Sequence, residues 1–191
     1  MRSARCWWSS KVTRTARPPA RVALIGFMGC GKTTVGRLLA ARLGYAFLDL
    51  DQWLERRRGK AIRQIFQESG EEAFRDLESS ALRDLASRPR VVIAAGGGAP
   101  VREANRPFFR EASTFYLEIS FEEFLRRTAA SQDRPLLGRP PEELAALFAG
   151  RLPVYREIGE RVLSEGRTPA QVTEEILERL RARGELKGSG G

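Results

Sequence analysis

The chain has 191 residues, 42% of them hydrophobic and 30% charged, with a formal net charge of +9. That size and balance fit one soluble globular domain, and no apolar run approaches the roughly 20 residues that a membrane span requires. Two cysteines and no histidine exclude a disulfide framework and remove the usual near-neutral proton carrier and metal ligand.

Residues 1–20, "MRSARCWWSSKVTRTARPPA", are rich in Arg and Ser and contain no acid. An organellar transit peptide has that composition; a disordered extension or a start codon placed too early is the simpler reading. The excess charge makes nucleic acid the first partner to consider. Six basic residues, however, fall within the first 21 positions: Arg2, Arg5, Lys11, Arg14, Arg17 and Arg21. Setting them aside leaves 27 basic against 24 acidic residues, so no nucleic-acid partner is expected for the body of the chain. Cys6 lies in this segment and Cys30 in a glycine-rich loop, so a reducing, cytoplasmic setting is expected. Residues 21–184 are expected to form a single domain and 185–191 a flexible tail.

Val22–Ile25 is a short apolar run ending in glycine and predicts a buried strand. From Lys32 the pattern turns helical, with Val35, Leu38, Leu39 and Leu43 on one face. Ala46–Leu50 predicts a second strand, with Asp51 at its exit and a helix through Trp53 and Leu54. Glu71–Ala86 predicts a long helix with Phe74, Leu77, Ala81, Leu82 and Leu85 on its apolar side. Val91–Ala95 is a continuous apolar run, as in a strand buried on both faces, and it ends in three glycines. Ser113–Ile119 predicts another strand, followed by a helix through Phe124 and Leu125. Ser131–Glu143 is polar and proline-punctuated, a loop. Helical pattern resumes through Leu144, Leu147 and Phe148. "RVLSEG" suits an edge strand, and Val172, Ile176, Leu177 and Leu180 face inward from a last helix. Strands alternating with helices argue for a parallel sheet covered on both faces, with ligands at the carboxyl ends of the strands.

The unusual residues sit at those ends. Gly26, Gly31, Lys32 and Thr33 fit G-x-x-x-x-G-K-[ST] between a strand and a helix. Glycines let backbone N–H groups turn around phosphate oxygens, and the helix start offers its positive dipole end to the same anion. Lys32 can reach the outer phosphates and the Thr33 hydroxyl can ligate Mg²⁺. Asp49 and Asp51 suit a Mg²⁺ water shell and a hydroxyl nucleophile; a helix N-cap at Asp51 is the lesser alternative. Arg75 and Glu78 are three apart on one helix, a spacing that a surface ion pair also has. Gly96, Gly97 and Gly98 suggest close backbone approach by a ligand or chain; a tight turn needs no more. Arg134 stands in a loop suited to closing on a transferring phosphate. Arg156 can fork onto a carboxylate. Taken alone, each of these two arginines reads as surface charge.

In series, these stretches resemble the shikimate kinases. The glycine loop is followed by "TTVGRLLAARLG", "DLDQWLERRRGKAIRQIFQESGEEAFRDLE", "GGG", "DRPLL" and "RLPVYRE", from about Val22 to Arg181. The glycine loop is common to many kinases; the D-x-D, F-R-x-x-E, G-G-G and R-P-L-L set is specific to this family. The resemblance implies an α/β P-loop kinase fold, three layers around a five-stranded parallel sheet. It implies ATP-dependent phosphorylation of the shikimate 3-hydroxyl in aromatic amino-acid biosynthesis, with Mg²⁺, by a monomer. Gly29, Cys30, Gly31, Lys32, Thr33 and Thr34 would cradle the nucleotide phosphates. Asp51 would bind the shikimate hydroxyls and act as base, and Asp49 would hold Mg²⁺ through water beside Thr33. Arg75 and Arg156 would grip the shikimate carboxylate, Glu78 would orient Arg75, and Gly96, Gly97 and Gly98 would line that pocket. Arg134 would belong to a lid, and Arg127 and Arg167 would flank the adenine.

Two departures stand out. Many family members carry a hydroxyl residue in the strand before the triple glycine, where this chain reads "VIAAGGG". Cys30 occupies a loop position often held by a smaller residue. The alternatives are a related kinase of gluconate or of a nucleoside monophosphate and, from another class, a nucleotide-dependent nucleic-acid-binding protein.

Overall fold

The computed structural model describes residues 20–129 and 140–186. In chain order the elements are β1 (Arg21–Ile25), α1 (Lys32–Leu43), β2 (Ala46–Asp49), α2 (Leu50–Arg58), α3 (Ile62–Ala86), β3 (Val91–Ala94), α4 (Arg106–Glu111), β4 (Ser113–Glu118), α5 (Phe121–Thr128), α6 (Pro141–Ile158), β5 (Glu160–Leu163) and α7 (Pro169–Ala182). All strand pairs are parallel, in the order β2-β3-β1-β4-β5.

The apolar runs explain the order. Val22 to Ile25 in β1 are fully buried, as are Val92 and Ile93 in β3 and Phe115 and Leu117 in β4. These three strands form the middle of the sheet, where both faces are covered. β5, by contrast, exposes Leu163 and forms an edge. The registers Leu24↔Ala94 and Leu48↔Ile93 bring β1, β3 and β2 to a common carboxyl end. α1 packs against α7, and α6 against α4 and β4.

Two features carry this core up to the site. Phe27, just beyond β1, is nearly fully buried and meets Phe124 and Phe148 edge-on at 4.9 and 5.0 Å. Such pairs are favourable beyond their buried area, by about 0.5–1.5 kcal/mol each, so the loop after β1 is anchored by its own side chain. α3 breaks at Gly70, whose φ of 82° and ψ of 173° are not helical. The helix expected at Glu71–Ala86 is the part after that break, and a first limb from Ile62 precedes it. The loop expected over Ser131–Glu143 falls largely outside the described residues; α6 already begins at Pro141.

Candidate active site

Gly31 caps the amino terminus of α1 at φ 97°, a backbone state that a residue with a Cβ rarely adopts. The first N–H groups of α1 therefore open towards the loop with the helix dipole behind them. Lys32 Nζ donates to the carbonyls of Gly26 at 2.8 Å and Phe27 at 2.9 Å and lies 3.6 Å from the Cys30 sulfur. Thr33 Oγ1 donates to Asp49 Oδ2 at 2.7 Å. Asp49, the last residue of β2, also caps α2 by accepting from the Gln52 N–H. The capping role thus falls on Asp49, and Asp51 stands one residue inside α2.

These groups face a cleft of about 610 Å³. Gly29, Gly31, Lys32, Thr33 and Thr34 line it, as do Asp49, Asp51 and Ala94 to Gly98. Phe66, Phe74, Arg75 and Glu78 also line it, together with Arg151 from α6. Cys30 is fully buried and does not line the cleft.

Arg75 donates to Glu78 Oε2 at 2.6 Å and to Glu71 Oε1 at 2.9 Å. Glu78 is 1% exposed, and its Oε1 has no hydrogen-bond partner among the described residues. Gly96 separates it from Asp51: a Cβ there would lie 2.5 Å from Glu78 Oε1 and 3.0 Å from Asp51 Oδ1. Burial pushes the Glu78 carboxyl up to about 7; Arg75 opposes this and the nearby Asp51 charge adds to it. At Gly98 any Cβ would collide with the Arg75 guanidinium. The triple glycine therefore lets two carboxylates and a guanidinium close over the backbone.

Tyr155, fully buried on α6, donates its hydroxyl to the Gly97 carbonyl. Arg151, 6% exposed, lies one turn earlier on the same face of the helix, close to the Tyr155 hydroxyl. Its NH1 stands 3.2 Å from where a Gly97 Cβ would be. Arg156, expected at the substrate, does not line the cleft; it donates to Glu118 at 3.1 Å and is more than half exposed. The reason is helical phase, because Arg156 follows Tyr155 and so leaves the inward face.

Arg127 borders the glycine loop, donating to the Gly29 carbonyl at 3.2 Å and to Glu123 at 2.6 Å. Arg167 is held by Glu175 and by the carbonyls of Leu163 and Gln171 and does not line the cleft. Arg134 lies outside the described residues. Among the described residues, no group of three or more acidic or cysteine side chains could hold a metal by itself. Thr33 and Asp49 instead offer one hydroxyl and one carboxylate, a donor set that fits a Mg²⁺ ion keeping most of its waters.

The family model described as shikimate kinase matches residues 28–181. A shikimate kinase of Chromohalobacter salexigens is 47% identical over 84% of this chain and 91% of its own length. One from Moorella thermoacetica is 43% identical over 86% of this chain and 96% of its own length. Among solved structures, a shikimate kinase from Acinetobacter baumannii in complex with shikimate superposes with a TM-score of 0.81 at 38% identity, covering 91% of this chain and 97% of that one. With the glycine loop, the paired aspartates and the arginine-lined cleft in one fold, the chain belongs to the shikimate kinase family.

Proposed function

We propose that this chain transfers the terminal phosphoryl group of ATP to the 3-hydroxyl of shikimate, giving ADP and shikimate 3-phosphate. One observation carries the reading. A single cleft is lined by a phosphate loop and, around the Gly96–Gly98 turn, by two arginines and an aspartate. A small polyhydroxylated carboxylate needs those groups: guanidiniums for its carboxylate and a carboxylate for its reacting hydroxyl.

Each residue then has a task. The N–H groups of the loop and of the first turn of α1, with Lys32, meet the phosphate charge. Arg75 and Arg151 hold the shikimate carboxylate, Arg151 replacing Arg156 in that role. Glu71 and Glu78 fix the Arg75 fork, and Arg151 stands beside the Tyr155 hydroxyl at Gly97. Asp51 orients the acceptor hydroxyl and takes its proton as the new P–O bond forms. Mg²⁺, when bound, would neutralise charge on the phosphate oxygens; Thr33 and, through water, Asp49 would hold it. Arg134 would close over the phosphates, and Arg127, beside the loop, would flank the adenine. Phosphoryl transfer asks mainly for positioning and charge neutralisation, so a chain without histidine lacks nothing that the reaction requires.

Coupled ADP release with ATP and Mg²⁺ tests this, with shikimate run beside gluconate, AMP and GMP. Shikimate-dependent turnover alone is the expected result. Turnover with another acceptor and none with shikimate would leave the phosphate loop standing and remove the arginine assignments.

A further inference from the structure

We propose that Ser164, outside the cleft, is a positioning residue for the phosphate cradle: its hydroxyl fixes the Cys30–Gly31 peptide so that the Gly31 N–H faces the nucleotide. The inference rests on the reading of this loop as a nucleotide cradle and adds to it the group that sets one of its donors.

Ser164 Oγ donates to the Cys30 carbonyl at 2.9 Å. Ser164 is 4% exposed and Cys30 is fully buried, so water does not compete for this bond. A peptide unit is planar and trans, so its C=O and N–H point in opposite directions. Drawing the Cys30 oxygen towards Ser164 turns the Gly31 N–H the other way, and Gly31 lines the cleft. The loop alone does not impose this orientation. Gly31 stands at φ 97°, and glycine crosses between such states more readily than any other residue.

Ser164 is itself held in place. It follows β5, and its N–H donates to the Glu118 carbonyl at 2.9 Å, extending the sheet. Its carbonyl accepts from Arg127 NH2 at 3.1 Å, while NH1 of the same guanidinium takes the Gly29 carbonyl. Glu123 fixes Arg127 from the preceding turn of α5 at 2.6 Å. The sheet edge therefore reaches the phosphate loop at two points, the Arg127 guanidinium at Gly29 and the Ser164 hydroxyl at the Cys30–Gly31 peptide. A donor aimed in advance costs no reorganisation when the anion arrives.

The test is ADP binding by titration calorimetry, with KM for ATP and for shikimate, on wild type and on Ser164→Ala, Ser164→Thr, Ser164→Val and Lys32→Ala. Ser164→Ala is expected to weaken ADP about tenfold, the size of one hydrogen bond in a dry site, with KM for shikimate within about twofold. Thr keeps the hydroxyl and should bind ADP as wild type does. Val, its near-isostere, should behave like Ala. Should the Ala variant not fold, the Thr and Val pair carries the comparison. ADP affinity that falls in Lys32→Ala but not in Ser164→Ala or Ser164→Val overturns the proposal and leaves the cradle standing. Affinity unchanged in all of them removes the cradle reading too.

Discussion

Arg151 and Arg156 are five positions apart on α6, which sets their side chains about 140° apart around the helix axis. They cannot both face one cleft. Arg151 shares its face with Leu144, Phe148 and Tyr155, the buried residues of that helix. The signal was in the sequence, as a charged residue on an apolar stripe spaced by three and four; a motif read without helical phase favoured Arg156, which does not line the cleft. Arg151→Ala should therefore raise KM for shikimate at least about tenfold, the cost of a charged hydrogen bond, with KM for ATP within about twofold. Arg156→Ala should change neither by more than about twofold; steady-state kinetics with each substrate varied decides. Asp51→Asn keeps the size and removes the charge, and should lower kcat by about 10²–10⁴ with the thermal midpoint unchanged; near-normal turnover would remove Asp51 as base. Glu78 makes a pH-dependent prediction. Its carboxyl, raised to about 7 by burial, keeps a proton in the folded chain that the unfolded chain releases near pH 4.5. Its stabilising contribution is complete below that value and is lost as pH climbs through 7. Urea unfolding of wild type and Glu78→Gln should show wild type losing roughly 3 kcal/mol relative to the variant between pH 4 and 8. Parallel pH curves would show that Glu78 titrates in the folded chain as it does in the unfolded one.

The strands were the most legible elements: the first four were expected within a residue of where they lie, while β5, expected over "RVLSEG", starts one residue earlier and ends three sooner. Continuous apolar runs between glycines leave a buried parallel strand little room to slip. The junction of β2 and α2 was less legible. Two aspartates two residues apart are equivalent in a strand, but β2 ends at Asp49 and α2 starts at Leu50, so one caps the helix and the other rides on it. The first limb of α3 escaped notice because its buried face is thin, with Ile65 and little else. The turn after β3 was legible as glycine and not as geometry: its reason is the Arg75 guanidinium lying over Gly98, from the middle of the helix before β3. Gly98→Ala should therefore push Arg75 aside and raise KM for shikimate about tenfold or more, with KM for ATP near wild type. Equal loss in both would mean that the turn itself had refolded.

At the scale of the molecule, both substrates enter one cleft built on the carboxyl ends of β1, β2 and β3. Each should stabilise the folded chain by mass action, about 2.7 kcal/mol at 100 times its Kd, or roughly 5–10 °C for a chain of this size. Thermal melts with ADP and with shikimate, separately and together, check this; no shift with shikimate would argue against its site. The three strands also set a length. β1 delivers the phosphate loop, β3 the glycine turn beneath the acceptor, and β2 the aspartates, and neighbouring strands lie about 4.8 Å apart. The separation between the strand ends that carry the phosphate loop and the aspartates is thus ruled by backbone pairing deep in the sheet. Altering the segments after β2 and β3 would change the groups offered to the acceptor and leave that separation in place.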